Sequence, residues 1–422
     1  MNPPRIGVSK SIWQLVQVML DYGAQSAATL VLFALVAKAN SVRDVGLYFL
    51  FLTAIFSLET IQRSIVSVPL SIFATKSPEG IGGQQFLGSM LVWHGLVQLA
   101  LVCVLAAWVS LFPGLAPSET AVSIGSVLTC ASALIFRDFA RSVYVSHLDG
   151  GGAFRLGFSV SSATVIAVLV AYLTDRLNVE NVFWILAVTN ALPAAVGLWT
   201  YRDRIQITRR RLKSDIKLAV GYGKWVFAAV LTNAVGVRAI PWLLVYWHGN
   251  NEVAIFGALA TAAGLINPLI NGAFGYLTPA LVKIRQQRGE SRAFQVGAVA
   301  IGVALVVAPV YALLLWLGGD VLVRYIFSEE YSNSRFLLAL LGLEVALKGA
   351  NLVLIALFRA FGVPQHELSA SVTSAAVTAL AGWILIKHYA SVGAAWTLLL
   401  AFAAVILINS IRAVRVRREQ VA

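Results

Sequence analysis

The stretch Arg202-Asp203-Arg204-Ile205-Gln206-Ile207-Thr208-Arg209-Arg210-Arg211-Leu212-Lys213 is the most polar run of the chain. It interrupts a sequence of 422 residues in which 59% are hydrophobic and 12% charged. Water-soluble domains carry about 45–50% apolar and about 25% charged residues, so a soluble enzyme, a disordered scaffold or a free nucleic-acid binder is excluded. About 20 apolar residues are needed for a helix to cross the hydrocarbon core. Outward from the polar stretch, runs of that length follow one another on both sides. Six precede it, at about 12–37, 45–74, 87–112, 120–147, 153–174 and 181–201. Six follow, at about 222–247, 253–282, 294–318, 334–362, 367–388 and 391–411. Trp13, Trp108, Trp199, Trp225, Trp247 and Trp316 fall near span ends, where an aromatic belt belongs. The reading is an all-α polytopic membrane protein of twelve transmembrane helices. It divides into a six-helix bundle at 1–201, a basic linker at 202–221 and a second six-helix bundle at 222–422.

An even number of spans returns the chain to its starting side, so the two halves are parallel rather than inverted repeats. Paired motifs agree in order. Val45-Gly46-Leu47-Tyr48 matches Ile255-Phe256-Gly257-Ala258, Pro69 matches Pro279, and Phe136-Arg137-Asp138-Phe139 matches Phe358-Arg359-Ala360-Phe361. The last pair is spaced more widely, which places an insertion in the loop from Gly318 to Asn333. The first run exceeds the roughly 7–15-residue core of a secretory signal and is read as a retained helix. With the N-terminus in the cytoplasm, 23 Lys and Arg fall on the cytoplasmic side. The other side has six: Lys38, Arg43, Arg176, Arg324, Arg335 and Lys387. Both termini are therefore expected in the cytoplasm, and the net charge of +13 reports orientation rather than a polyanionic partner.

Enzyme signatures are missing, and no catalytic activity is expected. The Gly-Lys pair at Gly223-Lys224 runs into Trp225, so no phosphate-binding loop exists, and His366-Glu367 continues as Leu368-Ser369-Ala370 rather than as a zinc-protease motif. Cys103 and Cys130 both lie inside apolar runs and are read as inert buried thiols. Neither cofactor nor metal is expected.

Ionisable residues within spans are costly and usually face a partner or an aqueous path. Here they are Asp21, Glu59, Arg63, Arg238, Glu344 and Lys348. Glu59/Arg63 and Glu344/Lys348 are each four residues apart, so each can pair on one helix face. Asp21 and Arg238 have no such local partner; they sit on repeat-equivalent spans 1 and 7. An arginine fork can hold two phosphate oxygens while partly dehydrated. Arg63 and Arg238 deep in the path, with Arg137, Arg141 and Arg359 at its cytoplasmic entrance, would suit an anionic headgroup. Asn267 and Asn271, one turn apart, would offer hydrogen bonds to sugar hydroxyls, or act as glue between helices.

Several motifs carry a family likeness. Val45-Gly46-Leu47-Tyr48 at the start of span 2, Tyr325-Ile326-Phe327-Ser328-Glu329-Glu330-Tyr331 before span 10, and Leu357-Phe358-Arg359-Ala360-Phe361-Gly362 at its end resemble the Wzx-like polysaccharide flippases. These belong to the multidrug/oligosaccharidyl-lipid/polysaccharide (MOP) exporter superfamily. The resemblance implies a V-shaped pair of bundles in a bacterial inner membrane. By alternating access it would move an undecaprenyl-diphosphate-linked oligosaccharide to the outer leaflet for O-antigen or exopolysaccharide synthesis. Implied partners are that lipid-linked oligosaccharide, membrane lipids and polysaccharide polymerase or assembly proteins, and no nucleic acid. Arg63, Arg238, Asn267, Asn271 and Lys348 are then the expected substrate-binding residues. The rival within the superfamily is a cation-coupled drug exporter, in which Asp21, Glu59 and Glu344 would take up a coupling ion or pair with cations.

Overall fold

A computed structural model describes residues 8–74, 81–111, 122–147, 149–327, 331, 335–361, 363 and 365–421. Among them every regular element is helical. The order is α1 (Val8–Ala39), α2 (Val42–Gln62), a π-helical turn (Arg63–Ser67), α3 (Val68–Ala74), α4 (Ile81–Leu111), α5 (Ile124–Ser146), α6 (Gly150–Leu173) and α7 (Val179–Trp199). It continues with α8 (Arg209–Val237), α9 (Ile240–His248), α10 (Asn250–Ala263), α11 (Asn267–Arg288), α12 (Glu290–Ile326), α13 (Arg335–Ala360) and α14 (Gln365–Val421). Taken with their breaks, these helices fall on the twelve apolar runs in sequence order. α2, the π turn and α3 form one segment, α8–α9 and α10–α11 form one each, and α14 breaks in two at Ala390, whose backbone is not helical.

The helix starts carry local signals. Ser41, Ser123, Asp149 and Asn178 each cap a helix by accepting a backbone N–H three residues on, at 2.8 to 3.3 Å. Gly249 and Gly289 both have φ of 82°, a left-handed conformation that glycine adopts without strain, and they separate α9 from α10 and α11 from α12. The break in α14 is capped from another helix: Ser391 bonds the Glu252 carboxylate of α10, and His248 reaches the Ile386 carbonyl at 2.7 Å.

The chain packs into two units, Met1–Asp44 with Phe51–Val230, and Val45–Leu50 with Leu231–Ala422. In the first, Leu70, Met90, Phe139 and Val143 form the centre of a fully buried core. In the second, Leu281, Leu357 and Ala356 do so. The start of α2 belongs to the second unit because two glycines allow a close crossing with α10. A methyl group at Gly46 would lie 2.0 Å from the Asn250 carbonyl oxygen, and one at Gly257 would lie 2.6 Å from the Phe49 ring. These are the two glycines paired by the repeat.

The basic stretch is helical from Arg209 onward and continues without interruption to Val237. It is fastened within the first unit. Buried Asp215 accepts from Ser89 at 2.8 Å, and the Gln206 N–H donates to the Gln84 carbonyl at 3.2 Å. α12 shows Val299, Val306 and Leu317 on its surface, as a lipid-facing helix does. The two thiols differ from the sequence expectation: Cys130 is buried, but Cys103 is exposed on α4, since an apolar run in a membrane helix has a lipid face as well as a packed one.

Candidate functional site

Six charged side chains and their polar neighbours converge inside the first unit. The arrangement begins at Pro69, which has no N–H to give to the Ile65 carbonyl one turn back. The backbone there widens into the π turn, in which the Val68 N–H bonds the Arg63 carbonyl, five residues earlier. The freed Ile65 carbonyl accepts the Trp93 indole N–H at 3.2 Å. Gly223 of α8 lies against the turn; a methyl there would meet the Ile65 Cα at 3.1 Å. Arg63 is the first residue of the turn and is thereby aimed at α5.

Arg63 bridges two helices. It donates to Glu59 at 3.0 Å and, through Nε and Nη2, to Asp138 Oδ1, the Nε bond being 3.0 Å. The other Asp138 oxygen accepts from Ser67 at 3.1 Å. Arg137 donates to Glu59 at 3.3 Å and to Asn190 of α7 at 3.0 Å. One turn further along α5, Arg141 bonds Asp21 of α1, whose second oxygen accepts from Gln25 at 2.8 Å. Gly157 of α6 gives Asp21 its room, because a methyl there would lie 1.9 Å from the carboxylate. Three arginines thus meet three carboxylates with no net charge. That balance is what permits burial, since an unpaired ion in a low-dielectric interior costs several kcal/mol.

The balance is uneven in exposure. The Glu59 and Asp138 side chains are 8% and 6% exposed, whereas Arg63 is 49% exposed. Its guanidinium lies on a buried acidic base, and half of the side chain is exposed. Behind the base, His94 of α4 is stacked on Phe139 at 4.3 Å, and its ring Nδ1 lies 3.1 Å from Gln62 Nε2.

The sequence reading places these groups in part. Glu59 and Arg63 pair as the spacing predicts. Asp21, expected to have no local partner, is held by Arg141, and Arg137 is tied to Glu59, so both arginines sit against buried carboxylates. Asp138, Gln62, His94 and Asn190 went unread as site residues. The available signal for Asp138 was its own charge: α5 runs on about two turns further, to Ser146, so Asp138 is an intramembrane carboxylate like Glu59.

In the second unit the predicted residues are more dispersed. Arg238 lies at the break between α8 and α9. Asn267 opens α11 after a short 3-10 turn, Gly264–Ile266, and Asn271 follows one helical turn later. Glu344 is buried on α13 and Lys348 half-buried; among the described residues no ion pair joins them, contrary to the spacing expectation. The reason is that shared face alone does not fix a rotamer: Glu344 is packed inward while Lys348 keeps part of its chain outside. Arg359 is exposed, over the Phe274 ring at 5.5 Å. Asn409 of α14 donates to Asn351 at 3.1 Å, an interhelical bond not foreseen. Among the described residues, no group of three or more His, Cys, Asp or Glu is arranged to hold a metal.

No protein-family model matches the sequence, and no curated protein sequence is similar to it. Solved structures are. A multidrug resistance MATE family transporter of the MOP superfamily in an inward-facing conformation superposes with a TM-score of 0.75 at 15% identity, covering 93% of this chain and 96% of that one. The lipid II flippase MurJ in an inward closed conformation gives 0.73 at 12% identity, covering 94% and 87%. A MOP superfamily transporter from Pyrococcus furiosus, described by the reverse polarity of its binding pocket, gives 0.69 at 16% identity, covering 97% and 96%. The chain shares the fold of these proteins, an all-α, multi-pass membrane architecture of twelve helices.

Proposed function

We propose that this protein is a transporter of the lipid-linked oligosaccharide type, a flippase that carries a diphosphate-linked glycan lipid from the inner to the outer leaflet of a bacterial inner membrane, with both termini cytoplasmic. The observation that carries the reading is Arg63: a half-exposed side chain whose guanidinium is fixed by two buried carboxylates at a π turn. A fork held in place by two carboxylates and still half exposed meets the demand of a phosphate ester, which needs an oriented cation that stays charged away from bulk water. In the second unit, Arg238 and Lys348 are two further cations, and Asn267 and Asn271 offer hydrogen-bonding groups. Both kinds of cargo named among the structural relatives, drugs and lipid II, are compatible with the fold. The carboxylates weigh against cation-coupled drug export at the first unit, because Asp21, Glu59 and Asp138 are each already occupied by an arginine. One observation favours a coupling ion elsewhere: Glu344 is a buried carboxylate with no ion pair among the described residues.

The test is deletion of the gene. Lipid-linked oligosaccharide should accumulate in the inner leaflet and surface polysaccharide should fall, with sensitivity to cationic drugs unchanged. Raised drug sensitivity with normal surface glycan would replace this reading by the exporter.

A further inference from the structure

A second feature lies between α6 and α7, where the chain leaves α7 for the basic stretch. Here a cavity of about 910 Å³ is lined by groups of two kinds. Its floor is apolar, formed by Leu156, Leu192, Pro193 and Val196. Leu192 and Val196 also lie on the outer surface of α7, so the floor runs on into the lipid-facing side of that helix, which carries exposed Val188 as well. The rest of its lining is polar and basic, and includes Arg155 of α6 and Arg204, just beyond α7.

These two arginines differ from the buried ones described above. Arg155 and Arg204 are exposed, and neither takes part in an ion pair among the described residues. Arg204 lies over the Tyr201 ring at 5.6 Å, a stacking contact that leaves its N–H edges available. The one carboxylate in the lining, Asp149, is already engaged: it caps α6 through the Gly152 N–H at 2.8 Å and accepts from the Tyr201 hydroxyl at 3.1 Å. The back wall is rigid. Tyr144 packs edge-on against Tyr201 at 5.0 Å, its hydroxyl donates to the Gly197 carbonyl at 3.2 Å, and Gly152 leaves the room its ring needs. Ser159 and Thr200 add hydroxyls to the lining, and both currently donate to carbonyls of their own helices.

Basic groups beside an apolar floor that opens to the hydrocarbon match one class of molecule, an amphiphile with an anionic head. We propose that this cavity binds an anionic membrane phospholipid, its phosphate between Arg155 and Arg204 and its acyl chain along Leu192 and Val196. The choice of a phospholipid over a soluble anion rests on the floor, because a free phosphate would gain nothing from apolar walls. The site is separate from the Arg63 cluster and does not depend on the identity of the transported substrate.

The experiment uses the full chain purified in detergent, with bound lipid read by native mass spectrometry and by the shift in melting temperature on lipid addition. The probes are phosphatidylglycerol, phosphatidylcholine, inorganic phosphate and undecaprenyl diphosphate. Wild type should retain phosphatidylglycerol at about a tenth of the concentration needed for phosphatidylcholine, a tenfold preference in line with a charge-assisted pair of hydrogen bonds. Arg155→Gln/Arg204→Gln should abolish the preference. Arg209→Gln/Arg210→Gln, an equal loss of charge just outside the cavity, should keep it. Both variants alter exposed side chains, and an unchanged melting temperature without lipid establishes that they fold. Four results would overturn the assignment: no preference in wild type, an equal loss in the Arg209/Arg210 variant, stabilisation by inorganic phosphate alone, or binding confined to undecaprenyl diphosphate.

Discussion

Arg63 and Asp138 stand 75 residues apart in the chain, yet two nitrogens of one guanidinium converge on a single carboxylate oxygen. That contact fixes the π turn of the second span to α5. It also changes what a test of Arg63 has to control. Glu59, four residues away, keeps Arg137 when Arg63 is removed, whereas Asp138 keeps the Ser67 hydroxyl but no other cation among the described ion pairs.

Arg63→Ala should therefore destabilise the protein by about 3 kcal/mol, the low end for a broken buried pair because the arginine itself is half exposed. Arg63→Gln/Asp138→Asn, which removes both charges, should recover most of the loss. Arg63→Gln/Glu59→Gln should recover less, since it leaves Asp138 buried and uncompensated. Chemical denaturation in detergent micelles ranks the three; equal recovery by both double variants would mean that Asp138 is not the main partner.

At the α1–α6 crossing, Gly157→Ala places a methyl where the Asp21 carboxylate lies. Overpacking of this kind costs about 1–3 kcal/mol. The displaced carboxylate also loses its geometry with Arg141. A fall in melting temperature is expected, and it should be larger than for Gly125→Ala, a position where an added methyl meets nothing within 4 Å. Equal melting temperatures for the two variants would show that α1 shifts without strain.

The spans were legible because their lengths are set by the bilayer rather than by neighbours, and the Glu59–Arg63 pair because it is local to one helix. What was hidden depends on packing. Arg137 and Arg141 were read at a span end, since charges near the close of an apolar run resemble an interface. The helix in fact continues to Ser146, and the same residues face Glu59 and Asp21. α5 carries Arg137, Asp138 and Arg141 within one span, which is also why it stands outside the eight stretches that qualify as membrane-crossing by length and composition alone. The π turn follows from Pro69, a residue used in the sequence reading as a repeat marker; that its freed carbonyl would bind Trp93 required the position of α4.

Orientation can be checked by accessibility. In a Cys103→Ser background, chosen because Cys103 is exposed, a cysteine at Asn178 should react with an impermeant thiol reagent in intact cells. One at Ser214, on the exposed face of α8 beside the basic stretch, should react only after lysis. Labelling of position 214 from outside would invert the topology. Pro117 and Ser332, natural choices for the same test from sequence, lie outside the described residues.

The substrate role of the arginines can also be tested outside the first unit. Arg238 lies at the α8–α9 break, outside the six-charge cluster. A hydrogen bond to a charged group contributes roughly 1.5–3 kcal/mol, so Arg238→Ala should weaken headgroup binding by about tenfold to a hundredfold. Arg238→Lys keeps the charge but loses the fork and should fall between wild type and Ala. Surface glycan measured at equal protein level, with protein level checked by immunoblot of the membrane fraction, reads both variants. Wild-type glycan in Arg238→Ala at normal protein level would remove Arg238 from the substrate path. The same series at Arg63 must be read against the Arg63→Gln/Asp138→Asn control: if that double variant is as stable as wild type and still exports glycan at the full rate, Arg63 is not where the diphosphate binds.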